Sequence, residues 1–318
     1  MFKRKTEQKI ILVARETRIQ KLKRRFNTTE QAKFFVERRG GNFSDYQQED
    51  DRYRSTVREA ETFLQKWGNV QVIDRTFLPN FVFGPNDTVV AVGQDGLVAN
   101  TLKYLLEGQP LIGVNPDPAR WDGVLLPFQV DDLKNIVPDV LAKKHRQQSV
   151  TMAHATLNDG QDLLAVNDFF IGQRTHQSAR YVIEFAGREE SHSSSGVIVS
   201  TPLGSSGWMK SLLHGATSIA NQLNAEHAAS LAVPDHLQSV PWSARRLYFT
   251  VREPFPSRSS QADLVFGEIS EDHPLTIRSL MPENGVIFSD GIEQDFIEFN
   301  SGAVATISLA NVSGNLVV

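Results

Sequence analysis

Thr88-Val89-Val90-Ala91-Val92-Gly93-Gln94-Asp95-Gly96-Leu97 is the stretch on which the fold turns. Its first five residues show no polar alternation, so both faces of this strand are buried, as in a parallel sheet covered by helices on both sides. Val98 to Leu106 then reads as a helix and Leu111-Ile112-Gly113-Val114 as the next strand, which together make a βαβ unit. Open parallel sheets bind ligands beyond the carboxyl ends of their strands, and Asp95 falls at such an end. Gly93 and Gly96 let a backbone come close to a phosphate, and the following helix start offers N–H groups to an anion. Asp95 has two readings at this point. It is either a base that takes a hydroxyl proton during phosphoryl transfer, or a cap on the helix.

The pattern extends on both sides. Lys9 to Ala14 reads as a first strand; the apolar run is too short for a signal-peptide core and has no cleavage site after it. Arg18 to Arg39 is helical, broken in two by the N-cap signal Asn27-Thr28-Thr29-Glu30 and ended by Gly40-Gly41-Asn42. Tyr53 to Trp67 is a further helix and Val70 to Ile73 a strand. From about residue 150 the texture changes to strand after strand: Leu163–Ile171, Ala179–Phe185, Gly196–Thr201, Arg246–Val251, Leu264–Ile269, Leu275–Leu280 and Ala303–Ala310. One helix, Trp208 to Glu226, interrupts them. The polar, basic Lys143 to Gln148 reads as a linker, which divides the chain into an α/β domain over residues 1–147 and a mostly β domain over residues 148–318.

Composition fits two globular domains. The chain has 318 residues, 40% hydrophobic and 22% charged, with no cysteine, so a disulfide framework or thiolate metal site is excluded. No run approaches the roughly 18 apolar residues of a membrane span. With no targeting signal, these features predict a cytoplasmic protein that meets no membrane. Net charge is −4, yet residues 1–39 hold 13 Lys and Arg against 4 Asp and Glu. That basic arm lacks a helix-turn-helix pattern, and it reads as a solvated or ligand-facing helix with no nucleic acid expected.

Two more segments carry chemistry. Val197 to Trp208 runs from a strand through Thr201, Gly204, Ser205 and Ser206 into a helix, a cradle for an anion or ribose. It has neither the Gly-Lys-Ser/Thr of a Walker loop nor the Gly-x-Ser-x-Gly of a nucleophile elbow. Trp208 either stacks on a base or joins the core. In Val166-Asn167-Asp168-Phe169-Phe170-Ile171, two polar residues interrupt an apolar strand, and burying both unpaired costs several kcal/mol. A nucleoside satisfies them, Asn167 at a base edge and Asp168 at ribose hydroxyls; a turn or bulge is the other reading. The eight histidines show no ligand spacing, so no zinc site is expected. Glu189-Glu190 and Asp131-Asp132 read as solvated acidic pairs in loops.

In this order and spacing the segments resemble the NAD kinase family. Gly93 to Leu97 is similar to its Gly-Gly-Asp-Gly-Thr motif, Asn167-Asp168 to its Asn-Glu pair, and Thr201 to Trp208 to its glycine-serine-threonine turn. Ile112 to Arg120, Ser194-Ser195-Gly196, Val251 to Pro254 and Phe299 to Ala303 resemble the mitochondrial-type branch. The resemblance implies a Rossmann-like α/β N-terminal domain and a β-rich, NAD-binding C-terminal domain. It implies transfer of the ATP γ-phosphate to the adenosine ribose 2′-hydroxyl of NAD, and a homodimer or larger homo-oligomer. Asp95 is then the catalytic base, and Gly93, Gly96 and Asn115 belong to the nucleotide site. Asn167 and Asp168 hold the adenosine, and Thr201, Gly204, Ser205, Ser206 and Trp208 line its pocket. Mg²⁺ arrives with the ATP phosphates, with no protein metal cage. Gln94 and Leu97 depart from the motif, and a Gln at positive φ would cost about 1–2 kcal/mol. Two other readings share the fold: a lipid or diacylglycerol kinase, and a nucleotide-binding sensor without catalysis.

Overall fold

Parallel pairing organises the first of two units, residues 1–148 with 315–318. The structure is a computed structural model, and it describes residues 5–223 and 232–318. The unit runs β1 (Lys9–Ala14), α1 (Arg18–Phe26), α2 (Thr29–Glu37), α3 (Phe43–Leu64), β2 (Asn69–Asp74), β3 (Thr88–Val92), α4 (Asp95–Leu102), β4 (Pro110–Val114) and α5 (Leu133–Leu141). Strand order is β2-β1-β3-β4, every pair parallel. The chain leaves β1 toward β2 on one side and returns to β3 on the other, so the order reverses between β1 and β3. Ile10, Leu12, Val90, Val92 and Ile112 pack with Leu64, Leu133 and Val137 from the helices, which is why these strands are apolar throughout.

The second unit, residues 149–314, is built on antiparallel pairs. Its elements are β5 (Gln147–Leu157), β6 (Asp162–Ala165), β7 (Asp168–Gln173), β8 (Ala179–Phe185), β9 (Arg188–Ser194), β10 (Val197–Ser200), α6 (Trp208–Leu223), α7 (Asp235–Gln238), β11 (Leu247–Val251), β12 (Phe266–Ile269), β13 (Leu275–Ser279), β14 (Gly285–Ser289), β15 (Ile292–Glu298) and β16 (Val304–Val317). One sheet has the order β16-β13-β8-β9, with β5 beside β16 and β6 beside β5; the other is β12-β11-β10-β7-β14-β15. A single core takes Tyr181, Ile183, Ile277 and Ile307 from the first sheet and Phe169, Ile171, Val199, Phe249 and Ile287 from the second. Alternate residues of each strand supply it, the mark of two sheets sharing one apolar layer.

Several expectations are corrected. Helix α3 begins at Phe43, ten residues before Tyr53, because Asn42 serves as its N-cap and accepts from the Ser44 amide. Helix α4 starts at Asp95 and stops at Leu102, where the Val98 to Leu106 reading ran late. The run Leu163 to Ile171 is two strands with a break at Val166-Asn167. Gln147 and Gln148, assigned to a linker, already belong to β5. Glu189-Glu190 lies in β9, with Glu190 buried and accepting from the Asp263 and Leu264 amides. Asp131-Asp132 forms a 3-10 turn before α5, where Asp132 accepts from the Gln129 amide. The end expected for α6, Asn224 to Glu226, lies outside the described residues.

Candidate active site

In the first unit the site grows from the carboxyl end of β3. The helix N-cap is Gln94, which makes no side-chain cap bond, and the Asp95 carboxylate turns away from the helix start to accept the Leu125 amide at 2.7 Å. Asp95 is half-buried and Gly96 exposed. The amides of Leu97 and Val98 return to the Gln94 carbonyl, so in this first turn the Asp95 and Gly96 amides have no intrahelical acceptor. A side chain at Gly93 would run into Leu97 at 2.8 Å, whereas one at Gly96 would meet nothing within 4 Å.

Neither departure from the family motif disturbs this turn. Gln94 has φ −124°, an extended conformation open to any residue, so no left-handed strain arises. Leu97 is buried against Gly93, its side chain spent on packing.

What positions Leu125 is a loop the sequence reading did not connect to Asp95. Asn115 shapes it: its Oδ1 accepts the Asp117 amide at 3.0 Å and its Nδ2 donates to the Trp121 carbonyl at 2.9 Å. The side-chain amide of Asn115 is therefore used within its own loop. Arg52 and Arg120 both pair with Asp117. Gly123 takes φ +64°, and a Cβ there would sit 2.5 Å from Asn115 Nδ2. Gly113 lets the loop cross β4, since a Cβ would lie 2.1 Å from the Leu125 carbonyl oxygen. Behind β3, the Tyr53 hydroxyl donates to the Val92 carbonyl at 3.0 Å and accepts the Arg15 amide at 2.7 Å; burial pushes this phenol up to about 12.

In the second unit two turns converge on the Val166-Asn167-Asp168 bend. The Asp290 carboxylate accepts the amides of Val166 (3.0 Å), Asn167 (2.6 Å) and Asp168 (3.3 Å), and the Asp290 amide donates to the Asp168 carbonyl at 2.9 Å. From the other side the Thr201 amide donates to the Asn167 carbonyl at 2.9 Å, and the Thr201 hydroxyl donates to the Val166 carbonyl. Gly204 rests against the same bend: a Cβ would stand 2.0 Å from the Asn167 carbonyl oxygen. The bend's backbone is thus saturated. The Asn167 and Asp168 side chains, half-buried, make no hydrogen bond among the described residues. Burial, and after it the negative charge of Asp290, pushes the Asp168 carboxyl up to about 7.

The remaining residues of the turn divide by exposure. Thr201, Gly204 and Ser205 are buried, with the Ser205 hydroxyl donating to the Pro202 carbonyl at 2.7 Å; Ser206 is exposed and donates to the Leu203 carbonyl at 3.2 Å. Trp208 is half-buried, nearly parallel to Phe170 with centroids 6.1 Å apart and with the Arg252 guanidinium 5.5 Å from its ring. Among the described residues no group of three or more His, Asp or Glu is placed to hold a metal ion, and no helix is long and apolar enough to cross a membrane.

No family model matches the chain. A human protein, the mitochondrial NAD kinase 2, is 23% identical over 95% of this chain and 81% of its own length. An NAD kinase from Archaeoglobus fulgidus, solved in complex with ATP, superposes with a TM-score of 0.56 at 16% identity, covering 98% of this chain and 94% of that one. The chain has the NAD kinase fold. Yeast NADH kinase, solved with NADH, agrees with a TM-score of 0.58 at 14% identity over 98% of this chain and 84% of that one. The resemblance carried by Gly93 to Leu97, Asn167-Asp168 and Thr201 to Trp208 is borne out at the level of fold, an α/β parallel sheet followed by antiparallel sheets. Within the NAD kinase fold, Asp290, Gly113, Gly123 and Leu125 were missed by sequence reasoning. Ser289-Asp290-Gly291 carries an ordinary turn signal, and nothing in it announces a partner 122 residues away.

Proposed function

We propose that the chain is an NAD kinase, moving the γ-phosphate of ATP to the 2′-hydroxyl of the adenosine ribose of NAD and giving NADP. The observation that carries this reading is the pair of uncommitted side chains, Asn167 and Asp168, on a bend whose backbone is fully used. A half-buried amide and carboxylate without partners among the described residues match a nucleoside, the amide reading a base edge and the carboxylate accepting from ribose hydroxyls. Thr201, Gly204, Ser205, Ser206 and Trp208 would line that pocket. The human relative named an NAD kinase, and the neighbours solved with ATP or NADH, support the same ligands.

Asp95 supplies the chemistry in this reading. One carboxylate oxygen is fixed by the Leu125 amide, which leaves the other to accept the 2′-hydroxyl proton as the oxygen attacks phosphorus. Gly93 packs the turn, and Gly96 leaves open space beside the helix start for a phosphate. Mg²⁺, carried in by the donor's phosphates, would offset their charge. Nothing in the geometry of Gln94 or Leu97 opposes the donor, which favours catalysis over a silent nucleotide sensor.

The test is NADP formation from NAD and Mg-ATP by the wild-type protein and by Asp95→Asn. The expected result is product from the wild type and a loss of at least about a hundredfold in kcat for the variant, the scale of a lost general base. NAD binding without product in either protein would establish the sensor, and phosphorylation of long-chain lipids in place of NAD the lipid kinase.

A further inference from the structure

Asp290 sits at the turn after β14, with φ +54°, a left-handed conformation that a non-glycine side chain rarely adopts. Most aspartates in such turns cap their own turn. This one spends its carboxylate on three consecutive amides 122 to 124 residues earlier, Val166, Asn167 and Asp168, and returns its own amide to the Asp168 carbonyl. Next to it the Ser289 hydroxyl donates to the Leu164 carbonyl at 2.6 Å. The bend between β6 and β7 is therefore gripped by Asp290 through its N–H groups and by Thr201 through its carbonyls.

Two features set this grip apart from ordinary turn architecture. The first is its cost: Asp290 brings a second carboxylate next to Asp168, where its charge disfavours ionisation of Asp168. A turn with only a structural task does as well with a neutral Asn or Ser. The second is what the grip leaves over, since every backbone polar group of Asn167 is taken while its amide, and the Asp168 carboxylate beside it, stay uncommitted. We propose that Asp290 is the positioning residue of the nucleoside pocket, its carboxylate locking the Val166–Asp168 bend so that Asn167 and Asp168 meet the adenosine part of NAD in a single geometry. The proposal rests on the NAD kinase reading for its ligand, and on hydrogen bonds alone for the lock.

Asp290→Asn and Asp290→Glu test it. The first keeps size and one acceptor oxygen but removes the charge; the second keeps the charge on a longer arm. Deuterium uptake by the peptide carrying Val166 to Asp168 reads the lock without reference to activity. It should rise in Asp290→Asn by about tenfold or more, since charge-assisted bonds to N–H groups are the strong ones. At saturating substrate kcat should stay within about threefold while KM for NAD rises by about tenfold or more, as for a residue acting through binding. Asp290→Glu should recover part of both. The pH profile gives a readout that a merely structural role would not move. In the wild type Asp168 becomes an ionised acceptor as pH rises through about 7, with burial first and the Asp290 charge second as the causes. Without the Asp290 charge the rise in NAD affinity should move to lower pH. Unchanged uptake and an unchanged KM in Asp290→Asn overturn the proposal, as does equal loss in kcat and affinity with an unmoved profile. A wild-type protein that binds no NAD sinks the NAD kinase reading instead, and the uptake result then decides the lock by itself.

Discussion

Asp168 shows how a single residue ties stability to function in opposite directions. Its carboxyl is raised from 3.8 to about 7, so the folded state holds the proton more tightly than the unfolded chain does. That advantage is complete below about pH 4, fades as pH climbs, and is gone above about 7. Asp168→Asn removes the penalty. We expect the variant to match the wild type in thermal stability at pH 4 and to exceed it at pH 8 by on the order of 1–3 kcal/mol, discounted because the group is not fully buried. The same change should weaken NAD binding at pH 8, where the ionised acceptor is needed. Thermal melts at the two pH values check the first claim; a variant no more stable at pH 8 would show that Asp168 is solvated. At Gln94 the residue scale also settles what the sequence left open. The backbone there is extended, so the side chain that departs from the family motif costs no strain.

At the scale of elements, close approach of backbone to backbone is what assembles the turn at Asp95 in the first unit and the bend at Asn167-Asp168 in the second. Gly113 allows the Gly123–Leu126 turn to cross β4 and deliver its amide to Asp95; Gly204 allows the turn before α6 to rest on the Val166–Asp168 bend. In both, an added Cβ would stand 2.0–2.1 Å from a carbonyl oxygen, and the obstacle is main chain, which yields far less readily than a side chain. Gly113→Ala and Gly204→Ala should each cost more than about 3 kcal/mol, the range of a forced backbone shift in a packed site. Chemical denaturation reads the loss, and a variant within about 1 kcal/mol of the wild type would mean that the loops yield easily. The strands with β-branched, unbroken patterns, β1, β3 and β8, were legible in the sequence to the residue. Strands β9, β14 and β15 were not, because Arg188-Glu189-Glu190-Ser191-His192 carries charge on every exposed position and the hairpin of β14 and β15 alternates too irregularly. A buried Glu190, paired with Arg188 and hydrogen-bonded to two amides and His192, cannot be told from a solvated one in one dimension.

Across the whole molecule, the chain enters the first unit, builds the second, and sends Asn315 to Val318 back to the first. Asn315 and Leu316 pair in parallel with Pro110 and Leu111 at the edge of β4, and Leu316 and Val317 are at most 1% exposed. Removing residues 315–318 should therefore strip the edge of the parallel sheet and destabilise the protein by at least about 3 kcal/mol, given two buried aliphatic side chains. Hydrogen exchange should accelerate first in β4 and its neighbours; acceleration confined to the antiparallel sheets would contradict the assignment of this tail. The sequence by itself determined the alternation of buried strands and helices, the change to antiparallel strands near residue 150, and the turns that carry Asp95, Asn167-Asp168 and Thr201 to Trp208. Each of these is written in local signals, apolar period and turn chemistry, which neighbours along the chain suffice to fix. Only the tertiary structure decided that Leu125 holds Asp95 and that Asp290 holds Asn167 and Asp168. Those bonds join residues 30 and 122 to 124 positions apart. Their partners are backbone amides, present at every non-proline residue, so no side-chain pattern could have pointed to them.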